Sequence, residues 1–183
     1  MQPTIPTRRD EWTFEDVDAL DVPDWWRYEI VDGTLVVSPS TGGDHELASA
    51  EIRIALQRDM PADIAVVGPM GVRIGRSYLV PDLVVAHRSR LRGARTLDPH
   101  DVLLAAEIVS PGSVTMDRVL KPAKYAAAGV AHYWRIETDP VGLTVGRLAG
   151  DVYVEAGTWQ AGEVAELSEP FPVTVDLGRL LGE

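Results

Sequence analysis

The chain has 183 residues and carries 28 acidic against 17 basic side chains, a formal net charge of −11. That length suits one domain with its own core, and the absence of cysteine excludes disulfides, thiolate metal sites and a thiol nucleophile. A constitutive nucleic-acid binder is usually basic, and the field of so acidic a chain repels DNA or RNA at long range. Contact with nucleic acid would need a local basic patch, or metal ions among its carboxylates.

The opening MQPTIPTRRDEW lacks the apolar segment of a signal peptide and reads as a flexible arm over residues 1–12, with a single domain over 13–183. No apolar run approaches the ~20 residues of a membrane span, so a cytoplasmic location is expected. Thr13 and Asp16 form a capping-box pattern that predicts a short helix over 14–20. Asp32-Gly33 between β-rich runs predicts a hairpin with strands at 28–31 and 34–38. HELASAEIRIALQRDM predicts an amphipathic helix of about four turns, with Leu47 and Ile54 on its apolar stripe. DIAVVG, GVRIG and YLVPDLVVAH read as strands, and Pro81 within the last suggests an edge position or a bulge. HRSRLRGAR, residues 87–95, is the one concentrated basic stretch and is expected to be a loop.

LLAAEIV is an apolar strand that ends near Glu107. Ser110-Pro111-Gly112 breaks it. A helical pattern follows, carrying Asp117, Lys121, Lys124 and Tyr125, and stops at Gly129; AHYWRI is the next strand. Beyond Glu137 the pattern is a β meander, with turns at Asp139-Pro140, Ala149-Gly150-Asp151 and Glu155-Ala156-Gly157. VDLGRLL reads as a short terminal helix.

Three carboxylates stand in strands that are otherwise apolar or aromatic: Glu29, Asp82 and Glu107. Carboxylates are rarely buried unless paired or bound to a cation. Mg²⁺ takes hard oxygen ligands, commonly one or two carboxylates. Asp82 and Glu107 on neighbouring strands could supply that pair, with Lys121 reaching back from the following helix.

Plainer readings exist for each residue. Asp82 could cap a turn, Glu107 could pair with Arg118 or Lys121, and Glu29 could be a solvated or cross-strand charge. Asp117 and Lys121, four apart, could be a helix-surface pair. His45 could neighbour a helix cap or stand behind the site. Tyr125, Tyr133 and Trp134 suit the core, Lys124 suits solvent, and Ser110 is a turn residue. Arg88, Arg90, Arg92 and Arg95 are either a phosphate-steering loop or an ordinary solvated one. Trp25 and Trp26 are candidates for a dimer contact, and a homodimer or higher homo-oligomer is expected.

Pro81-Asp82 followed by Glu107-Ile108-Val109 resembles the motif of the PD-(D/E)XK nuclease superfamily. A longer ordered set is more specific: Glu107, Ser110, Pro111, Asp117, Lys121, Tyr125, Gly129, Val130, Tyr133 and Trp134. With the hairpin YEIVDGTLVVSPS and His45, this set resembles the Uma-two-type putative restriction endonuclease family. The resemblance spans about residues 13–150. It implies an α/β fold with a restriction-endonuclease-like core, a central mixed sheet flanked by helices, here with the C-terminal meander appended. It implies Asp82 and Glu107 as metal ligands, the Ile108 carbonyl as a third, Glu29 as an accessory carboxylate, and DNA as substrate. Val109 occupies the position where the superfamily places its lysine. The family's alternative is a lysine on the next helix, here Lys121, and Pro122 directly after it requires that helix to begin near Lys121.

The function expected is therefore Mg²⁺-dependent hydrolysis of DNA phosphodiester bonds, with Mn²⁺ as a substitute ion. Asp82, Glu107 and Lys121 would be catalytic, Glu29, His45 and Tyr125 accessory, and the four arginines would bind nucleic acid. One rival is a catalytically degenerate relative acting as a nucleic-acid- or protein-binding module. The other is an assembly protein with no nucleic-acid role.

Overall fold

The computed structural model describes residues 10–20, 26–110 and 112–182. Residues 1–9, Trp25 and Pro111 lie outside them, and with them most of the expected arm and part of the expected turn. Helix α1 (Phe14–Asp18) begins as expected: the Thr13 hydroxyl accepts the Asp16 N–H, and the Asp16 carboxylate accepts the Thr13 N–H at 3.0 Å. Strands β1 (Trp26–Val31) and β2 (Thr34–Pro39) form the hairpin. Asp32 and Gly33 turn it with φ of 49° and 84°, the left-handed pair that a two-residue hairpin requires.

Helix α2 (Gly43–Arg58) has the expected length, but its buried stripe is His45, Ala48, Ile52, Ala55 and Leu56. Leu47 and Ile54 point outward and are half exposed, which corrects the face assigned from the sequence. Two alanines in the true stripe weakened its signal against the larger residues opposite.

Strands β3 (Ile64–Val67), β4 (Val72–Ile74), β5 (Ser77–Leu79) and β6 (Leu83–His87) follow. The run around Pro81 is neither an edge strand nor a bulge. It is two strands in two sheets, and Val80-Pro81-Asp82 is the crossing between them. Helix α3 (Arg88–Leu91) occupies part of the basic stretch expected to be a loop.

Strand β7 (Val102–Val109) leads to a π-helical turn, Met116–Leu120, and then helix α4 (Lys121–Ala127). The wide turn lets α4 begin at Lys121, so Pro122 falls in the first turn, where its missing N–H costs nothing. Gly129, at φ 85°, ends the helix, and β8 (His132–Thr138) runs parallel to β7. Strands β9 (Val141–Ala149) and β10 (Val152–Gln160) extend the sheet by antiparallel pairing. The turn expected at Glu155-Ala156-Gly157 is a bulge inside β10. Strands β11 (Val164–Leu167) and β12 (Val173–Asp176) form a separate ribbon, followed by a single 3₁₀ turn at Leu177–Arg179.

The two main sheets are ordered β2-β1-β5-β4 and β10-β9-β8-β7-β6-β3. On one face of the larger sheet, Ile52 and Leu56 of α2 pack with Leu83, Leu104, Trp134, Ile136 and Val175. On the other, Tyr125 of α4 packs with Val84, Ala105, Val130 and Tyr133. Burying each large apolar side chain contributes about 1.5–3 kcal/mol, and this core offsets the charged cluster at its end. That cluster lies where the β5–β6 crossing, the end of β7, strand β1 and the starts of α2 and α4 meet.

Candidate functional site

Asp82 begins at the crossing. The β6–β7 register pairs Leu83 with Ala106 and Val84 with Ala105, and its continuation sets Asp82 opposite Glu107. Asp82 Oδ2 accepts the Ile108 N–H at 2.8 Å and lies 3.1 Å from His45 Nε2, while Oδ1 lies 2.6 Å from Arg27 Nη1. Burial works against the ionised carboxylate. The His45 hydrogen bond and the Arg27 charge outweigh it and pull the pKa down to about 2. Glu29 fastens the crossing from β1: its Oε1 accepts the Val80 N–H at 2.7 Å.

Lys121 sits at the head of α4 with Nζ 3.1 Å from Glu29 Oε1, 3.1 Å from Glu107 Oε1 and 3.5 Å from Asp117 Oδ1. One turn on, Tyr125 donates to Glu107 Oε1 at 3.1 Å. Burial opposes the ammonium, but Glu107, Glu29 and Asp117 hold it protonated. Glu107 is fully buried. Burial and the neighbouring Asp82, Asp117 and Glu29 push its carboxyl well above the ordinary value, with Lys121 acting against them. Asp117 is raised as well, chiefly by burial.

A cleft of about 400 Å³ opens onto the group and is lined by Arg27, Glu29, His45, Asp82, Asp117 and Lys121 among others. Ile108 borders it, and Glu107 does not. Four carboxylates (Glu29, Asp82, Glu107, Asp117) face two permanent cations (Arg27, Lys121). Glu107 Oε2 and Asp82 Oδ1 accept no hydrogen bond; the Arg27 contact at Oδ1 is an ion pair without hydrogen-bond alignment. Buried carboxylate oxygens are seldom left this way.

The family described as "Putative restriction endonuclease", Uma2, matches residues 14–178. The chain belongs to the Uma2 family. Among solved structures, a putative nuclease belonging to DUF820 from Anabaena variabilis ATCC 29413 superposes with a TM-score of 0.70 at 15% identity. The match covers 93% of this chain and 97% of that one. The likeness confirms the restriction-endonuclease-like α/β fold. No curated protein matches the chain.

Of the residues expected at a Uma2 site, the structure brings together Asp82, Glu107, Ile108, Lys121, Glu29, His45 and Tyr125. Tyr125 is fully buried, so its hydroxyl serves Glu107 and reaches no phosphate. His45 directly contacts Asp82. Lys124 is partly exposed, and it lies 2.7 Å from Asp32 Oδ1, tying α4 to the hairpin turn. The structure does not bring Arg88, Arg90, Arg92 or Arg95 to the cleft. They follow the far end of β6, about 16 Å along the strand from Asp82. Arg88 donates to the Ala62 carbonyl, Arg90 pairs with Asp101, and Arg95 pairs with Asp18.

Arg27 escaped the sequence reading, and Asp117 reads there as a surface partner of Lys121. Arg27 stands two before Glu29 on β1, hence on the same face, and that spacing was the available signal. Asp117 does pair with Lys121 at 3.5 Å, but the pair is buried and not on the helix surface.

Among the described residues, no three His, Asp or Glu side chains are arranged to hold an ion by themselves. The chemistry of the cluster nonetheless suits a divalent cation: hard carboxylate oxygens, of which Glu107 Oε2 accepts no hydrogen bond, and four buried acids against two cations.

Proposed function

We propose that this Uma2 chain is a divalent-metal-dependent endonuclease that hydrolyses DNA phosphodiester bonds, with Mg²⁺ as its ion and Mn²⁺ as a substitute. The observation that supports the reading is the group of four buried carboxylates around Asp82 and Glu107, in which Glu107 Oε2 accepts no hydrogen bond and Asp82 Oδ1 is met only by the Arg27 ion pair. Asp82, Glu107 and the Ile108 carbonyl would hold the ion. A bound Mg²⁺ supplies Lewis acidity toward a phosphoryl oxygen and makes water a better nucleophile.

The chain's own residues do the rest. Arg27 and His45 keep Asp82 ionised and aimed into the cleft. Lys121 lines the same cleft, and its ammonium stabilises the charge that develops on the phosphoryl oxygens during in-line attack. Tyr125 and Asp117 hold Glu107 and Lys121 in place. Arg27 adds a second positive charge at the wall for the substrate phosphate, which an acidic chain needs for any anionic ligand.

Plasmid nicking with Mg²⁺, with Mn²⁺ and with chelator tests the reading. Cleavage should require the metal and disappear in Asp82→Asn and Glu107→Gln. Calorimetry showing no Mg²⁺ or Mn²⁺ binding, with no cleavage, would leave the degenerate binding module in its place.

A further inference from the structure

Strand β1 has a second face. Arg27 and Glu29 point into the cleft already described; Trp26 and Tyr28, on the alternate side, line a second cavity of about 380 Å³. The two cavities adjoin, and Arg27, Pro39, Ser40 and Thr41 border both. Tyr78 and Val80 complete the aromatic and apolar wall. The Tyr78 ring is fixed there. It packs on Phe14 with centroids 5.0 Å apart, and a Cβ at Gly71 would fall 2.2 Å from it.

Two polar atoms lie buried behind this wall. Tyr28 is 8% exposed, and its hydroxyl has no hydrogen-bond partner; the Trp26 indole N–H is also buried without one. Both atoms lie beneath the surface of the wall, so what a ligand in the cavity meets is the aromatic and apolar face, and a flat heteroaromatic ring fits it by stacking.

We propose that this cavity receives one unstacked nucleobase of the strand whose phosphate enters the neighbouring cleft, with Arg27 between them at the phosphate. The proposal rests on the nuclease reading for the phosphate's place, and it specifies the substrate further: a strand with at least one base out of the stack. Stacking of this kind tolerates any base, so it supplies affinity without reading sequence.

The test uses the full chain in metal-free buffer, where nothing is cleaved. Binding of a short single-stranded thymidylate oligomer is compared with that of an abasic oligomer of equal length, which carries the same phosphates. The base-bearing oligomer should bind about tenfold tighter. Trp26→Ala should erase that gap, Trp26→Phe should keep most of it, and Tyr28→Phe, which removes only a hydroxyl behind the wall, should leave it unchanged, with the fold of each followed by circular dichroism. Equal affinity for the two oligomers, binding of neither, or a gap that survives Trp26→Ala overturns the proposal. A gap without metal-dependent cleavage would keep this subsite and discard the nuclease reading. Cleavage without a gap would do the reverse.

Discussion

Lys121 Nζ and Glu107 Oε1 lie 3.1 Å apart, and neither side chain is more than 3% exposed. The ammonium is the shared counterion of Glu107, Glu29 and Asp117, so removing it leaves buried carboxylates unpaired. Lys121→Ala should therefore lose cleavage and also lose about 3–5 kcal/mol of stability, the usual cost of breaking a buried pair. Urea unfolding measures the second effect. Divalent-metal affinity should persist, because an ammonium is not a ligand. Wild-type-like cleavage by a folded Lys121→Ala would remove it from the mechanism.

Arg27 should set the acid sensitivity of the fold. The Asp82 carboxyl falls from an ordinary 3.8 to about 2 in the folded chain. A depressed carboxylate contributes stability that is present above its unfolded value and lost as pH falls through its folded one. Here that window is about pH 4 down to pH 2, and the contribution is about 2 kcal/mol. In Arg27→Met the Asp82 carboxyl should rise, and acid unfolding should begin at higher pH. Coincident acid-unfolding curves for the two proteins would show that Arg27 does not hold Asp82.

Glu107 titrates with the opposite sign. Burial, together with Asp82, Asp117 and Glu29, raises its carboxyl, so the folded state holds that proton more tightly than the unfolded chain. Its contribution to stability is full below the unfolded value and is lost as pH rises. The stability of Glu107→Gln relative to wild type should then improve from pH 5 upward, because glutamine keeps the neutral form. Divalent cations should release a proton on binding to wild type and not to the variant. Calorimetry in two buffers of different ionisation enthalpy reads that proton directly, and identical enthalpies for wild type would contradict the assignment.

Gly68 fixes the position of Asp82 by its size. A Cβ there would fall 2.0 Å from the Asp82 carbonyl oxygen, a backbone atom that cannot swing aside. Gly68→Ala should push the β5–β6 crossing away, lower stability by about 1–3 kcal/mol as overpacking does, and reduce cleavage more than stability loss alone explains. Retained cleavage kinetics in this variant would show that the crossing is more pliant than its contacts suggest.

The basic segment should be dispensable. Arg88, Arg90 and Arg92 follow the end of β6 remote from Asp82, and none lines either cavity along β1. Their combined replacement by alanine should leave the salt dependence of DNA binding unchanged, since that slope counts phosphates neutralised. A flatter slope would place DNA across that far end.

The hairpin, the β7–α4–β8 unit and the capping box were legible because each depends on local signals: a left-handed turn pair, a strand period, a cap. The pairing of Lys121 with Glu107 was legible as a motif. Arg27 was not, because a lone arginine in a hairpin strand looks solvated until the crossing brings Asp82 beneath it. The same crossing hid the end of one strand and the start of another, since Tyr78 to His87 reads as one continuous run. The stripe of α2 was misread because alanine packs against a sheet without announcing itself as apolar.

The buried charges also bear on how this protein would drift under selection for heat resistance. Replacing a buried ionic group as a unit by well-packed apolar side chains is often neutral or stabilising by 1–4 kcal/mol, although breaking it piecemeal is costly. Because Lys121 also pairs with Glu29 and Asp117, only a change of the whole group, such as Lys121→Met with Glu107→Leu, Glu29→Gln and Asp117→Asn, would thus face little opposition from folding. A thermostability screen run without an activity check should enrich such inert chains. The cluster opposes the fold's own optimum, so robustness engineered into this scaffold belongs elsewhere, on the outward face of α2 or along β10.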